Sequence, residues 1–180
     1  MNYDVWGAWI LSSLGVGPNA PLNDTCAPSQ VQQGSAVRAV EAWTAANFPA
    51  NKLVLGIAAY GRSFHVTPAA AFGTLSPSPD GGDGGQAPAS TTQQLVAYPP
   101  FDASNPPSGD RWDGAAGLDQ CGNSVPPGGI WTFWGLIDGG FLKQDGTPAV
   151  ESGIGYRFDE CSQTVSALTT LSSDRRGMSS

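Results

Sequence analysis

The strongest constraint on the fold is an apolar run at residues 53–59, which contains no charged side chain. Such a run is typical of a strand buried on both faces of a parallel sheet. Residues 1–12 are rich in β-branched and aromatic side chains, which predicts a second strand that runs into a loop. A helical pattern lies between the two, over residues 35–48. The order strand, helix, strand predicts an α/β fold in which the two strands are parallel.

The helix has recognisable signals at both ends. Ser35 is a favoured N-cap residue, and Pro49 follows the last helical position. Val37, Val40 and Trp43 fall at helical spacing on one face. We therefore expect Trp43 to pack in the core against the sheet, with a functional role as the alternative.

Polar and aromatic side chains follow both predicted strands. Tyr3, Asp4 and Trp9 lie at the first strand, and Tyr60 and Arg62 come directly after the second. Parallel neighbours end at the same edge of a sheet, so these five side chains are predicted to share one rim. Phenols and carboxylates bond sugar hydroxyls and amides, and indole faces stack on sugar rings. The alternatives are an ordinary strand end with aromatic core residues and, for Arg62, a structural salt bridge with Asp4.

Three segments resemble one known family. Residues 1–4, Met-Asn-Tyr-Asp, resemble the M-x-Y-D segment of family 18 glycoside hydrolases, the chitinases and chitinase-like lectins. Residues 53–64, which contain Tyr-Gly-Arg, resemble that family's next barrel-strand segment. Residues 95–164 resemble the small domain that fungal members insert before the last barrel strand. The resemblance extends over residues 1–164.

The resemblance implies part of a (β/α)₈ TIM barrel, with one βαβ unit and two barrel strands, plus an α+β insertion domain. A complete barrel needs about 250 residues, and this chain has 180. The family's acid motif, D-x-x-D-x-D-x-E, and its final barrel strand with a tryptophan are not recognised here, so we expect an internal or C-terminal piece of a fungal-type chitinase. The expected regions are a partial barrel at 1–66, a flexible loop at 67–94, the insertion domain at 95–164 and a disordered tail at 165–180.

The resemblance also implies a reaction, the hydrolysis of β-1,4 bonds between N-acetylglucosamine units of chitin, in which the substrate's own acetamide assists. Tyr3 matches the tyrosine that bonds the acetamide oxygen, and Asp4 matches an aspartate that bonds the bound sugar. These two are the expected catalytic residues. The expected substrate-binding residues are Met1 beneath the site, Trp9 on the leaving-group side, and Tyr60 and Arg62 along the cleft.

The proton donor of that reaction is not found in this chain. The family uses a glutamate at the end of its acid motif, and Glu41, Glu151 and Glu160 lack the preceding aspartates. We therefore expect the chain alone to be inactive although its parent is a glycoside hydrolase. The alternatives are a chitin-binding, chitinase-like lectin without catalysis and a truncated product without function.

The second half of the chain carries further structural signals. Ile130, Phe133, Trp134, Ile137 and Phe141 follow helical spacing, and glycines at 139 and 140 end the pattern. A strand is predicted at residues 153–159. Most aromatic side chains of the insertion region, including Tyr98, Phe101 and Trp112, are expected to form its core.

Composition and cysteines favour an extracellular protein. Gly 24, Pro 15 and 13% charged residues suit a loop-rich secreted chain, although no signal peptide is recognised within it. Cys121 and Cys161 both lie in the expected insertion domain and are predicted to form a disulfide, which leaves Cys26 for a partner outside the chain. Asn23 begins an N-x-[S/T] sequence and is a predicted glycosylation site.

Charge narrows the expected partners. A net charge of −7 and a pI near 4.3 argue against nucleic acid and anionic membranes. No apolar run approaches the roughly 18 residues of a membrane span. Asp80 and Asp83 lie among glycines but lack the remaining ligands of a calcium loop, so a mobile loop is preferred over a calcium site. We expect a monomer that binds chitin or chito-oligosaccharides without metal or cofactor.

Overall fold

The computed structural model describes residues 1–7, 9–72, 95–149 and 155–168. Within these ranges the strands are β1 (Tyr60–Arg62), β2 (Gly117–Leu118), β3 (Ser124–Val125), β4 (Ile130–Thr132), β5 (Gly155–Asp159) and β6 (Thr164–Leu168). They form three two-stranded antiparallel sheets, which pair β1 with β4, β2 with β3 and β5 with β6. The α-helices are α1 (Ala36–Ala45), α2 (Pro68–Phe72) and α3 (Phe133–Asp138), and short 3₁₀ turns occupy Ser12–Leu14, Ser29–Val31 and Ala50–Lys52.

The two predicted parallel strands meet at a single bridge. Asn2 pairs with Ile57 in parallel orientation, and the Asn2 N–H donates to the Gly56 carbonyl at 3.3 Å. The predicted burial on both faces is wrong, because Val54 is 92% exposed and Ile57 is 84% exposed. An apolar strand is buried only where other layers cover it, and the described residues supply no such layer and no closed barrel.

Helix α1 forms where the sequence predicts it. Ser35 caps it, since its hydroxyl accepts the Arg38 N–H at 3.4 Å and donates to the buried carboxylate of Asp24 at 2.9 Å. The prediction that Trp43 packs in the core is wrong. The indole is 56% exposed and meets the ring of Phe48 edge to face, with 5.5 Å between centroids.

Trp6 is at the centre of the core in the N-terminal part of the chain. This side chain is fully buried, its indole N–H donates to the Gly15 carbonyl at 2.8 Å, and its ring lies 6.0 Å from that of Tyr98. Gly17 lies so close to the indole that a Cβ there would overlap it. The other buried apolar side chains include Val31, Ala36, Ala71, Leu95, Phe101 and Ala149.

Strand β1 pairs with β4 and so joins the N-terminal part of the chain to the part that follows residue 95. Tyr60 pairs with Thr132 and Arg62 with Ile130 in the β1–β4 ladder. The predicted helix therefore begins three residues later than its apolar spacing indicated, after Thr132. The Thr132 hydroxyl caps α3 by accepting the Gly135 N–H at 3.0 Å.

The aromatic side chains of residues 95–141 are divided between core and surface. Phe101 is buried and meets Phe64 edge to face at 5.0 Å, as expected of a core residue. Trp112 and Trp134 are exposed, so the prediction of a core position is wrong for both. Spacing identifies residues that share a face but does not show what that face contacts.

The structure also revises the expected loop and tail. Helix α2 (Pro68–Phe72) lies inside the region predicted as a flexible loop, and residues 73–94, with both of its aspartates, lie outside the described residues. The predicted strand at 153–159 appears as β5, with 153 and 154 outside the described part. Residues 165–168 belong to β6 and not to a disordered tail, whereas 169–180 are outside the described part.

The predicted disulfide between Cys121 and Cys161 is wrong. Cys161 pairs with Cys26, with their Cα atoms 6.1 Å apart, and Cys121 is exposed and free. Proximity in sequence favoured Cys121, but its short β2–β3 hairpin is exposed. The turn between β5 and β6, which contains Cys161, lies beside Cys26. The Leu22 N–H donates to the Ser162 carbonyl at 2.9 Å and fixes this contact.

No described helix combines the length and the apolar character that crossing a bilayer requires.

Candidate functional site

Asp4 is the centre of the predicted rim. The Tyr60 hydroxyl donates to its Oδ1 at 2.6 Å, and Arg62 donates to the same atom from Nε at 3.1 Å and from Nη2 at 2.6 Å. The salt bridge that the structural interpretation of Arg62 named is therefore present. The second carboxylate oxygen, Oδ2, accepts no hydrogen bond from any described residue, and the Asp4 side chain is about half exposed. This oxygen is therefore available to a ligand.

These contacts shift the pKa values of Asp4 and Tyr60 in opposite directions. The hydrogen bond from Tyr60, followed by the bonds and charge of Arg62, lowers the pKa of Asp4 below its usual 3.8. Burial, followed by the bond to Asp4, raises the pKa of the Tyr60 phenol above 10.0. A carboxyl group whose pKa is lowered by folding stabilises the folded state at pH values above its unfolded-state pKa of about 3.9. This stabilisation is lost as the pH falls through the folded-state pKa. The site is therefore charged and intact at neutral pH.

Trp9 completes one side of the rim. The Arg62 guanidinium lies over its indole with Cζ 4.7 Å from the ring centroid, a cation–π contact. The indole also lies against Gly7, where a Cβ would overlap it. Although these two neighbours orient the ring, 57% of Trp9 stays exposed. An oriented and partly exposed indole is able to stack on a ligand ring.

Tyr3 lies on the other side of Asp4. Its ring meets that of Tyr60 edge to face with 6.1 Å between centroids, and it packs closely over Gly56. Its hydroxyl has no hydrogen-bond partner among the described residues, in contrast to the Tyr60 hydroxyl. The two tyrosines therefore differ: Tyr60 holds Asp4, whereas the Tyr3 hydroxyl is left unbonded by the described residues.

The structure brings the five predicted rim residues together, whereas Met1, the other predicted site residue, lies apart from them. Tyr3, Asp4, Trp9, Tyr60 and Arg62 form a connected cluster. The prediction that Met1 packs beneath the site is wrong, because Met1 is 92% exposed. The described residues therefore leave the Met1 side chain almost uncovered.

Sequence reasoning missed Asn19. Its Oδ1 accepts the Asp4 N–H at 3.1 Å, its Nδ2 donates to the Tyr60 carbonyl at 3.2 Å, and its own carbonyl accepts the Val5 N–H at 3.1 Å. Asn19 follows Pro18 in a Gly- and Pro-rich loop, where asparagine is a common turn residue. That local signal explains a turn but not which distant backbone groups the side chain reaches.

The remaining predicted positions lie away from the rim. The Asn23 Oδ1 accepts N–H groups from Asp24 and Thr25, at 2.8 and 3.2 Å, so the predicted glycosylation site forms a tight local turn. Among the described residues, His, Cys, Asp and Glu do not gather in threes that could hold a metal ion. The rim thus offers hydroxyl, carboxylate and indole groups to a ligand.

Known proteins match this chain over most of its length. The model of Glycosyl hydrolases family 18 matches residues 1–136. A chitinase-like effector of Moniliophthora roreri is 53% identical over 164 residues, which cover 91% of this chain and 35% of that protein. A chitinase-like effector of Moniliophthora perniciosa is 47% identical over 165 residues, with 92% and 32% covered. The chain thus spans about a third of these relatives.

A solved structure agrees with the sequence comparisons. The crystal structure of a chitinase from Rhizomucor miehei matches with a TM-score of 0.64 and 28% identity, over 94% of this chain and 38% of that one. The family model alone covers well over half of the 180 residues. The chain therefore belongs to glycosyl hydrolase family 18.

Proposed function

We propose that the rim binds N-acetylglucosamine units of chitin or chito-oligosaccharides. One observation carries this proposal: the Tyr3 hydroxyl and the Asp4 Oδ2 are both without partners among the described residues, beside the exposed indole of Trp9. A sugar with an acetamide group presents a carbonyl for a phenol, hydroxyls for a carboxylate and an apolar ring face for an indole.

In a longer protein that also carries the acid motif, the same rim would take part in hydrolysis. Tyr3 would hold the acetamide oxygen so that the acetamide attacks the anomeric carbon, and a glutamate outside these residues would protonate the leaving oxygen. Asp4 would bond the bound sugar while Tyr60 and Arg62 keep its carboxylate ionised. The family and the chitinase structure support this assignment.

A chitin-binding protein without catalysis is the second candidate. Both Moniliophthora relatives are named chitinase-like effectors, and the 180 residues hold no D-x-x-D-x-D-x-E motif. In this case the rim keeps its sugar contacts and contributes no chemistry. Both candidates need the same binding surface, so affinity tests the shared proposal and turnover separates the two.

We also propose that the protein works as an extracellular monomer on a carbohydrate partner. The disulfide between Cys26 and Cys161 supports an oxidising compartment, where such bonds form and persist. The acidic net charge of −7 suits a neutral polysaccharide better than nucleic acid.

Removal of the indole is expected to weaken sugar binding. Trp9→Ala should raise the Kd for chitotetraose about tenfold, because truncating a well-placed aromatic contact typically costs more than about 1 kcal/mol. Isothermal titration with the 180-residue chain measures this. Trp112→Ala is the matched control, since Trp112 is also exposed and also lies beneath an arginine, Arg111, with 5.0 Å to the ring centroid. Equal losses in both variants, or none in Trp9→Ala, would contradict the assignment.

The chain by itself is expected to show no turnover. A fluorogenic chitobioside should be cleaved no faster with the 180-residue protein than without it. The chain lacks the acid motif, and with it the glutamate that would protonate the leaving group. The assay measures released fluorophore against a heat-treated sample. Turnover that disappears in both Asp4→Asn and Tyr3→Phe would show that this chain supplies a proton donor that we have not identified.

A further inference from the structure

The backbone of Asp4 is held in a conformation that few residues adopt. Its φ is 57°, in the left-handed region, where Cβ comes close to the following carbonyl oxygen. Strain of this kind persists only where surrounding contacts impose it. The Tyr60 and Arg62 side chains hold the Asp4 carboxylate. The backbone at this position is held by Asn19, which accepts the Asp4 N–H through Oδ1 and the next N–H, that of Val5, through its carbonyl.

The same Asn19 side chain also reaches the second strand of the site. Its Nδ2 donates to the Tyr60 carbonyl at 3.2 Å, while the Tyr60 hydroxyl meets Asp4 at 2.6 Å. Asn19 therefore links the backbones of the two residues whose side chains form the centre of the rim. It links groups that lie 15 and 41 positions away in sequence.

We propose that Asn19 is a positioning residue for the sugar site: its amide fixes Asp4 against Tyr60 and Arg62. This inference rests on the proposed sugar-binding function. Because all three donors of the cluster converge on Oδ1, the described residues leave Oδ2 open for a ligand. A backbone rotation at Asp4 would move Oδ1 from these donors and would release Arg62 from the position that places it over Trp9.

The proposal predicts a coupled loss of order and affinity. In the 180-residue chain, Asn19→Ala should raise the Kd for chitotetraose about tenfold, because loss of these two hydrogen bonds leaves about a tenth of the molecules with Asp4 in the binding arrangement. It should also abolish the ring-current shift that the Trp9 indole imposes on the Arg62 side-chain protons, measured by NMR without ligand. The matched control is Asn2→Ala, which removes one side-chain bond, to the Pro21 carbonyl at 3.0 Å, in the same region but outside the cluster. This control should change affinity less than twofold and keep the ring-current shift.

The readouts distinguish failure of the inference from failure of the proposed function. If wild-type protein binds no chitotetraose, the proposed function fails. The Arg62 ring-current shift, which is measured without ligand, then still tests whether Asn19 positions the cluster. The Trp6 indole N–H, which donates to the Gly15 carbonyl, reports whether each variant is folded. If Asn19→Ala loses that signal, Asn19→Asp replaces it, since this change keeps the acceptor for Asp4 but cannot donate to Tyr60. A folded variant with unchanged affinity and unchanged ring-current shift would overturn the proposal.

Discussion

Replacing Cys26 and Cys161 together by serine is expected to lower the free energy of unfolding by about 4–5 kcal/mol. The bond closes a loop with a sequence separation of 135, and the chain-entropy model assigns about 4.7 kcal/mol to a loop of about 100 residues. The double variant avoids a new pairing between a released thiol and Cys121. Urea denaturation of the oxidised protein, followed by intrinsic fluorescence, measures the change.

Cys121→Ser is the matched control for this prediction. Because Cys121 is exposed and unpaired, its replacement should change stability by less than about 0.5 kcal/mol. Peptide mapping of the oxidised protein should find Cys26 joined to Cys161. A mapped bond from Cys121 to Cys161, with the larger loss of stability in Cys121→Ser, would show that the pairing described above is incorrect.

Removing the Tyr3 hydroxyl is expected to lower turnover about a hundredfold in a family 18 protein that contains both this chain and the acid motif. Loss of one donor aimed at a developing charge typically costs about a hundredfold or more. The affinity for substrate should change little, because the ring stays packed over Gly56 and against Tyr60. Steady-state kinetics of Tyr3→Phe on a chito-oligosaccharide should therefore show a fall in kcat with KM nearly constant.

Tyr98→Phe is the control for Tyr3→Phe, since it deletes the same atom from a tyrosine that packs against Trp6 outside the rim. Its kcat should stay within about twofold of the wild type, as expected where no transition-state contact is lost. If Tyr3→Phe remains folded with wild-type kcat, Tyr3 is a packing residue and the catalytic assignment is wrong. A rise in KM with constant kcat would instead limit Tyr3 to uniform binding.

The elements that could be predicted from the sequence depend on local contacts. Ser35 and the apolar spacing after it define helix α1, because an N-cap bond is made within three residues. Residues 155–159 form a strand as their composition indicates. The rim was also foreseeable, since Tyr3, Asp4, Tyr60 and Arg62 follow two segments whose parallel order brings their ends together.

Contacts between distant segments depend on the tertiary structure. The apolar spacing from Ile130 fits a helix, but pairing with Tyr60–Arg62 makes the first three residues a strand. Trp43 has the spacing of a core residue and is exposed, because Phe48 covers part of its ring and the described residues leave 56% of it uncovered.

The cysteine pairing and the role of Asn19 have the same origin. Three cysteines allow several pairings, and only the approach of the β5–β6 turn to Cys26 selects one. Asn19 carries no signal beyond that of a turn residue, yet its amide spans Asp4 and Tyr60. Hydrogen bonds between neighbouring residues can be predicted from the local sequence. Hydrogen bonds between residues far apart in sequence form only when the fold brings both groups together.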